Sequence, residues 1–396
     1  MIPADAEKHS SHNAPTPDAK APAVMQVLPR LETGGVERGT VDITMALTAA
    51  GRRAIVVSAG GSMVREIERA GGQHFTLPVD SKNPMTMRKN IAALTEFIRA
   101  KNIGVVHARS RAPAWSARAA AERANIPFMT TFHGTYNFNN RAKKAYNAVM
   151  AKGERVIAIS EFIGRHVADE YDVPEDRIRV IPRGIDLETF NPYAVSAERM
   201  IQLSQAWRLP DESPVVMLPG RLTRWKGQSV LIEAARRLAR PDVRVLLVGD
   251  DQGRTGYRED LEAQIGRIGA ESIIHLTGPC RDMAAAYMLA GVVVSASTDP
   301  EAFGRVAAEA HAMGRPVIAS DHGGACETVI AGETGWLVPP GDADALAQAL
   351  RTALAMTGEE RETLARRAIT HIRDNFTKSQ MCAATLAVYD ELLPST

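Results

Sequence analysis

Val24-Met25-Gln26-Val27-Leu28 is a short run, apolar except at Gln26. It is followed by Leu31-Glu32-Thr33-Gly34-Gly35-Val36-Glu37 and then by a helical pattern over 36–50 that Gly51 stops. A buried strand, a glycine-bearing loop and a helix in that order are the opening unit of a parallel α/β sheet. Runs at 55–58, 104–107, 128–132 and 155–159 continue the series, with Ala- and Arg-rich helical stretches between them. Strands that are apolar throughout imply a sheet covered on both faces.

The series breaks at Asn191-Pro192 and the polar stretch to Ser213-Pro214, then restarts. Runs at 215–218, 243–248, 273–276, 292–295 and 317–320 give a second set of strands. The expected fold class is α/β, with two Rossmann-like domains at 21–195 and 196–375 facing across a cleft. A last helix over about 378–393, within a terminal segment 376–396, is free to return to the first domain. Ligands of open α/β sheets bind beyond the carboxyl ends of the strands, so the loops there carry the functional signal.

The chain has 396 residues, 45% hydrophobic and 23% charged, which is the composition of an ordinary globular protein. No apolar run approaches the roughly 20 residues of a membrane helix. Cys280, Cys326 and Cys382 are far apart and odd in number, which excludes a disulfide framework and a CxxC zinc site. Residues 1–20 are polar and Pro-rich without the apolar core of a signal peptide. They read as a disordered leader, and the expected location is cytoplasmic. Net charge is +1, yet residues 82–155 hold 14 basic residues against three acidic ones, Glu96, Glu122 and Glu154. Such segregation suits an anionic partner for the first domain. The stretches 85–101 and 141–152 stand out. In the second, Arg141, Lys143 and Lys144 precede Tyr146, Val149 and Met150, a mixture suited to the surface of an anionic membrane.

Several strand-end loops bear chemistry. Gly34-Gly35 lets backbone N–H groups approach an anion, or simply makes a tight turn. It is not GxGxxG, and no acidic residue ends the second strand, so a nicotinamide dinucleotide is excluded. Arg221 and Lys226, in Gly220-Arg221-Leu222-Thr223-Arg224-Trp225-Lys226-Gly227, either clamp a diphosphate or are solvated cations. In Asp299-Pro300-Glu301-Ala302-Phe303-Gly304-Arg305-Val306-Ala307-Ala308-Glu309 a helix is expected to begin near Gly304, offering its N–H groups to a sugar-phosphate. Glu309 suits two vicinal hydroxyls, with small residues around it; capping or surface roles are the alternatives for Glu301 and Glu309. Gly323-Gly324 implies a close backbone approach, and Glu327 reads as a helix cap. His133, at the end of a strand before Gly134, is either structural or catalytic.

Together these features resemble the retaining glycosyltransferases of family 4, which have the GT-B fold. The resemblance spans about residues 24–375 and rests on Gly34-Gly35, Gly220-Arg221 with Lys226-Gly227, and the E-x7-E of Glu301 and Glu309. Pro316-Val317-Ile318-Ala319 and Gly323-Gly324 with Glu327 add to it. It implies that Arg221 and Lys226 bind the donor diphosphate and stabilise the leaving nucleotide. Glu309 would hold the ribose. Glu301, with the backbone around Phe303, Gly304 and Arg305, would grip the transferred sugar. His133 would contact that sugar near the reacting carbon, and Gly34 and Gly35 would lie by the phosphate. The acceptor would dock on the first domain. Neither a metal nor another cofactor is implied, only a nucleotide-sugar donor as substrate, and nucleic acid is not an expected partner.

Lipopolysaccharide core assembly is the pathway the resemblance suggests, with attachment to the inner face of the membrane. Asp342-Ala343-Asp344 matches a metal-binding motif of another glycosyltransferase class, but N-capping of an Ala/Leu helix explains it better. One departure from the family pattern is Arg183, in Pro182-Arg183-Gly184-Ile185-Asp186, where Asn-Gly is common. The alternatives are a nucleotide-sugar 2-epimerase of the same architecture and a non-enzymatic two-lobed sugar-binding protein.

Overall fold

The computed structural model describes residues 21–393; the expected leader at 1–20 lies outside them. Among the described residues, thirteen strands make two sheets. Strands β1 (Ala23–Val27), β2 (Ala54–Ser58), β3 (Gln73–Thr76), β4 (Ile103–Ala108), β5 (Phe128–Phe132), β6 (Arg155–Ala158) and β7 (Ile178–Val180) form the first. Its order is β3-β2-β1-β4-β5-β6-β7. The second contains β8 (Val215–Pro219), β9 (Arg244–Val248), β10 (Ile274–Gly278), β11 (Val292–Ser295), β12 (Val317–Ser320) and β13 (Gly335–Val338), ordered β10-β9-β8-β11-β12-β13.

Pairing is parallel where β1 meets β2 and β4, and again where β8 meets β9 and β11. In both sheets the strand order reverses beside the first strand, which creates the switch point where α/β folds bind ligands. Residues of β1, β2, β4, β5 and β8 are buried along their whole length, because helices cover both faces.

The chain divides into two compact units. Among the described residues, one comprises 21–157, 173–179 and 382–393; the other comprises 158–172 and 180–381. In the second unit Val216, Leu218, Val245, Leu247, Val292 and Val294 pack under helices Gln228–Leu238 and Ala343–Leu354. In the first unit helix Lys378–Leu392 contributes fully buried Tyr389, whose hydroxyl lies 2.8 Å from His107 Nδ1.

Candidate active site

At the carboxyl end of β8 the chain passes through Gly220 and Arg221 into a 3-10 turn at Arg224–Lys226. Gly227 ends that turn in the left-handed region at φ +74, and a Cβ there would sit 1.8 Å from the carbonyl oxygen of Ala296. Only glycine fits. The turn is thereby pressed onto the loop after β11, where Thr298 N donates to Trp225 O at 2.7 Å. This contact delivers Lys226 to Glu301: Nζ lies 2.5 Å from Oε1, with side chains only 15% and 13% exposed. Ser297 Oγ donates to the same oxygen at 2.6 Å. His322 Nε2 in turn donates to Ser297 O at 2.9 Å. Gly324 N donates to Glu301 O at 2.7 Å, tying the loops after β11 and β12 together.

Gly304, at φ +83, starts helix Arg305–Ala312. A Cβ at Gly304 would meet Ala325 Cα at 3.0 Å. Phe303 is buried with its ring centroid 5.6 Å from that of Phe376, so only its backbone is open to a ligand. Glu309 is nearly buried and doubly held. Arg305 Nε donates to Oε1 at 2.5 Å, and Tyr287 OH donates to Oε2 at 2.9 Å. Burial, then the charge of Glu309, pushes the Tyr287 phenol well above its ordinary range, so the hydroxyl stays protonated. Arg221 is exposed, with Nη1 3.3 Å from Gln252 Oε1, while its carbonyl accepts from buried Gln228 Nε2 at 2.9 Å.

The second unit therefore brings together Lys226 with Glu301 and Arg305 with Glu309. Ser297 and Tyr287 were not among the residues the sequence singled out. Tyr287 sits in Ala284-Ala285-Ala286-Tyr287 and reads there as core; Ser297 had one faint signal, its place two residues past β11 and four before Glu301. Gly34, Gly35 and His133 belong to the first unit. Gly34 is extended at φ 172, a conformation open to any residue, and precedes helix Gly35–Ala49. His133 follows β5, and its N–H donates to Tyr136 OH at 3.3 Å.

Glu327 caps a helix distant in sequence. Its oxygens accept from Glu161 N at 2.9 Å and Phe162 N at 2.8 Å, the first two N–H groups of helix Glu161–Tyr171. Asp342 accepts from Asp344 N and Ala345 N at the start of helix Ala343–Leu354, and Asp344 pairs with Arg237 at 2.7 Å. Among the described residues no group of three or more His, Cys, Asp or Glu is placed to hold a metal. The segment carrying Arg183 packs on the stretch after Asn375: Ile185 N donates to Phe376 O at 2.8 Å and Lys378 pairs with Asp186 at 2.8 Å.

In the first unit, helix Arg141–Asn147 presents Arg141 and Lys143 to solvent, with Lys144 half-buried and its Nζ 5.1 Å from the Phe138 ring. The expectation that Val149 and Met150 share its surface is corrected. A 3-10 turn, Ala148–Lys152, redirects the chain after Asn147 and buries both residues fully. Apolar exposure arises instead at Met85, 73% exposed on helix Pro84–Ala100, whose Arg88 and Lys89 are also exposed.

Known proteins are similar to this chain in sequence and fold. Glycosyl transferases group 1 matches residues 200–371, and Glycosyltransferase Family 4 matches 33–189. A solved glycosyltransferase from Rickettsia africae ESF-5 is 35% identical; the match covers 95% of this chain and 100% of that one, with a TM-score of 0.89. The chain belongs to glycosyltransferase family 4. This glycosyltransferase is also similar to D-inositol 3-phosphate glycosyltransferase of Xylanimonas cellulosilytica. The two are 34% identical over 285 residues, 68% of this chain and 67% of that one. The fold alone is shared with Anabaena HepE, solved in complex with UDP and glucose. That match has a TM-score of 0.81 at 24% identity and covers 93% of this chain and 99% of the other. Among the described residues, no helix of the glycosyltransferase is long and apolar enough to cross a membrane.

Proposed function

We propose that this glycosyltransferase moves a hexose-type sugar, with retention, from a nucleotide diphosphate sugar to a glycolipid or saccharide precursor of the cell envelope, of the lipopolysaccharide core type. The observation that carries the reading is the Lys226–Glu301 pair, a cation and a carboxylate fixed within 2.5 Å of each other beyond the strand ends of the second unit. When the bond from the sugar's anomeric carbon to the phosphate oxygen breaks, negative charge grows on the departing diphosphate. Lys226 and Arg221 are the cations assigned to meet it, a task a divalent ion would otherwise perform. Glu301 accepts from sugar hydroxyls, Glu309 from the ribose, and the backbone of Phe303, Gly304 and Arg305 lines the sugar-phosphate. His133 of the first unit is assigned to the transferred sugar by family resemblance. Without an enzyme nucleophile, retention requires the acceptor oxygen to bond to the carbon on the face the phosphate leaves. The acceptor's proton then passes to the departing phosphate oxygen.

A panel of nucleotide sugars, scored by thermal stabilisation and slow donor hydrolysis, tests this reading. At least one donor is expected to stabilise the protein by several degrees, with turnover unchanged in excess EDTA. Silence across the panel would favour a binding protein, and loss of turnover restored by magnesium or manganese would overturn the metal-free assignment.

The acceptor is assigned to the first unit on the strength of its positive charge, which also suits an anionic membrane. A relative that acts on D-inositol 3-phosphate makes a phosphate-bearing acceptor a fitting alternative. Each Lys or Arg near an anionic surface contributes about 1 kcal/mol, screened by salt. Arg141, Lys143 and Lys144, with Met85, Arg88 and Lys89, therefore suffice for reversible attachment. Reversing Arg141, Lys143 and Lys144 to Glu is expected to abolish sedimentation with anionic vesicles at low salt while sparing donor hydrolysis. A wild-type protein that ignores such vesicles points to a soluble acceptor.

A further inference from the structure

The two carboxylates assigned to the donor are held in different ways. A carboxylate offers about four lone-pair sites, two on each oxygen. On Glu301 both contacts, from Lys226 and Ser297, fall on Oε1. On Glu309 the contacts are split, Arg305 Nε on Oε1 and Tyr287 OH on Oε2. Glu301 is thus left to receive hydroxyls through Oε2, whereas Glu309 keeps one open site on each oxygen. A vicinal diol presents two O–H donors at a spacing that spans the two oxygens of one carboxylate. Glu309 has the matching pattern and Glu301 has not.

We propose that Arg305 and Tyr287 are specificity-determining positioning residues that shape Glu309 into a receptor for the ribose diol of the donor. The inference rests on the reading of Glu309 as the ribose ligand. Tyr287 approaches from within the core, being wholly buried, and its phenol stays protonated and so donates. Arg305 approaches along the same helix, four residues before Glu309, the spacing at which side chains meet. Its charge also offsets the cost of burying the Glu309 carboxylate. With one donor on each oxygen, the carboxylate plane cannot rotate without breaking a bond. The open lone pairs therefore point in fixed directions, and a nucleotide lacking one ribose hydroxyl leaves one of them unmet. Discrimination against deoxyribonucleotides follows from that unmet acceptor.

The test is calorimetric titration of the full chain with UDP, GDP, ADP and CDP, each beside its 2′-deoxy form. Whichever ribonucleotide binds the wild type is expected to bind about 10–100-fold more tightly than its deoxy counterpart. In Arg305→Leu and Tyr287→Phe that ratio is expected to fall to about 3 or less, with affinity for the deoxy form nearly unchanged, a pattern general loosening does not produce. Arg305 is partly exposed, so its variant decides the matter should Tyr287→Phe fail to fold. A ratio that stays at the wild-type value in folded Arg305→Leu, but vanishes in Glu309→Gln, overturns this inference and leaves the ribose reading standing. A ratio unaffected by Glu309→Gln, or no binding by any of the four nucleotides, overturns both.

Discussion

Lys226→Ala is expected to lower turnover by about 10²–10³-fold, the loss seen when one fixed donor to developing negative charge is removed. Two effects are combined in that variant, and they can be separated. Glu301 is nearly buried, so deleting its cation leaves a desolvated carboxylate supported by Ser297 alone. Breaking a buried pair from one side costs about 3–5 kcal/mol, and the residual exposure here argues for the lower end. The double variant Lys226→Met with Glu301→Gln removes both charges together, and its stability is expected to return close to that of the wild type. Turnover is not expected to return, because no ammonium remains for the leaving diphosphate. Thermal unfolding and kcat measured on the single and double variants check both halves. A folded Lys226→Ala enzyme with full turnover would remove Lys226 from the mechanism. A double variant as unstable as the single one would mean that the ion pair is not what stabilises the loop.

Much of this arrangement was legible in the amino-acid order. Runs such as Val292–Ser295 and Val317–Ser320 are buried at every position and apolar up to their closing serine because both faces of the sheet are covered, and such runs announce themselves. The strands that gave no signal lie at the margins. β3 is Gln73-His74-Phe75-Thr76, partly exposed along its length, so its composition is that of a loop. β13 begins at Gly335 because a Cβ there would lie 2.3 Å from Val317 O, and glycine argues against a strand in any propensity scale. At the site, the charged residues were visible but their partners were not. Glu301 meets Lys226 across 75 positions, and Tyr287 meets Glu309 across 22. Neither pairing has a local spacing rule: the first is fixed by which strand ends neighbour each other in the sheet, the second by the packing of helix Met283–Leu289 near helix Arg305–Ala312. Arg305 and Glu309 are the exception: i,i+4 on one helix predicts contact directly. At Val149 and Met150 the helical period of the sequence is broken by a contact it does not announce: the fully buried Asn147 side chain donates to Tyr136 O at 2.6 Å and the chain tightens into a 3-10 turn.

Deleting the tail from Cys382 onward is expected to leave the first unit unable to fold at ordinary temperature. Helix Lys378–Leu392 buries Cys382, Thr385, Val388 and Tyr389 there. Each large apolar side chain taken from water contributes about 1.5–3 kcal/mol, so the helix is worth roughly 5–8 kcal/mol before polar contacts are counted. That is comparable with the whole stability of a typical domain, about 5–15 kcal/mol. Polar contacts add specificity: Glu391 meets Arg155 at 2.6 Å and Arg179 at 2.7 Å, and Asp390 meets Arg52 at 2.6 Å. The most sensitive contact is Tyr389 OH to His107 Nδ1, because His107 is wholly buried with Nε2 on Thr131 Oγ1 at 2.7 Å. Tyr389→Phe strands one ring nitrogen, at a cost of about 1–3 kcal/mol. Burial, then the charge of Arg109, holds the His107 pKa well below its ordinary value of 6.5. The unfolded chain therefore takes up this proton first as pH falls, and the native state does not. The contribution of the neutral ring is complete above pH 6.5 and declines as pH drops below it, until the folded ring itself titrates. Urea midpoints are accordingly expected to fall between pH 7 and pH 5 in the wild type, and to fall less in His107→Asn, which cannot titrate. A tail-deleted chain with the wild-type midpoint would show that the helix merely lies on a unit already stable without it, and equal acid sensitivity in His107→Asn would show that a group other than His107 sets the acid response.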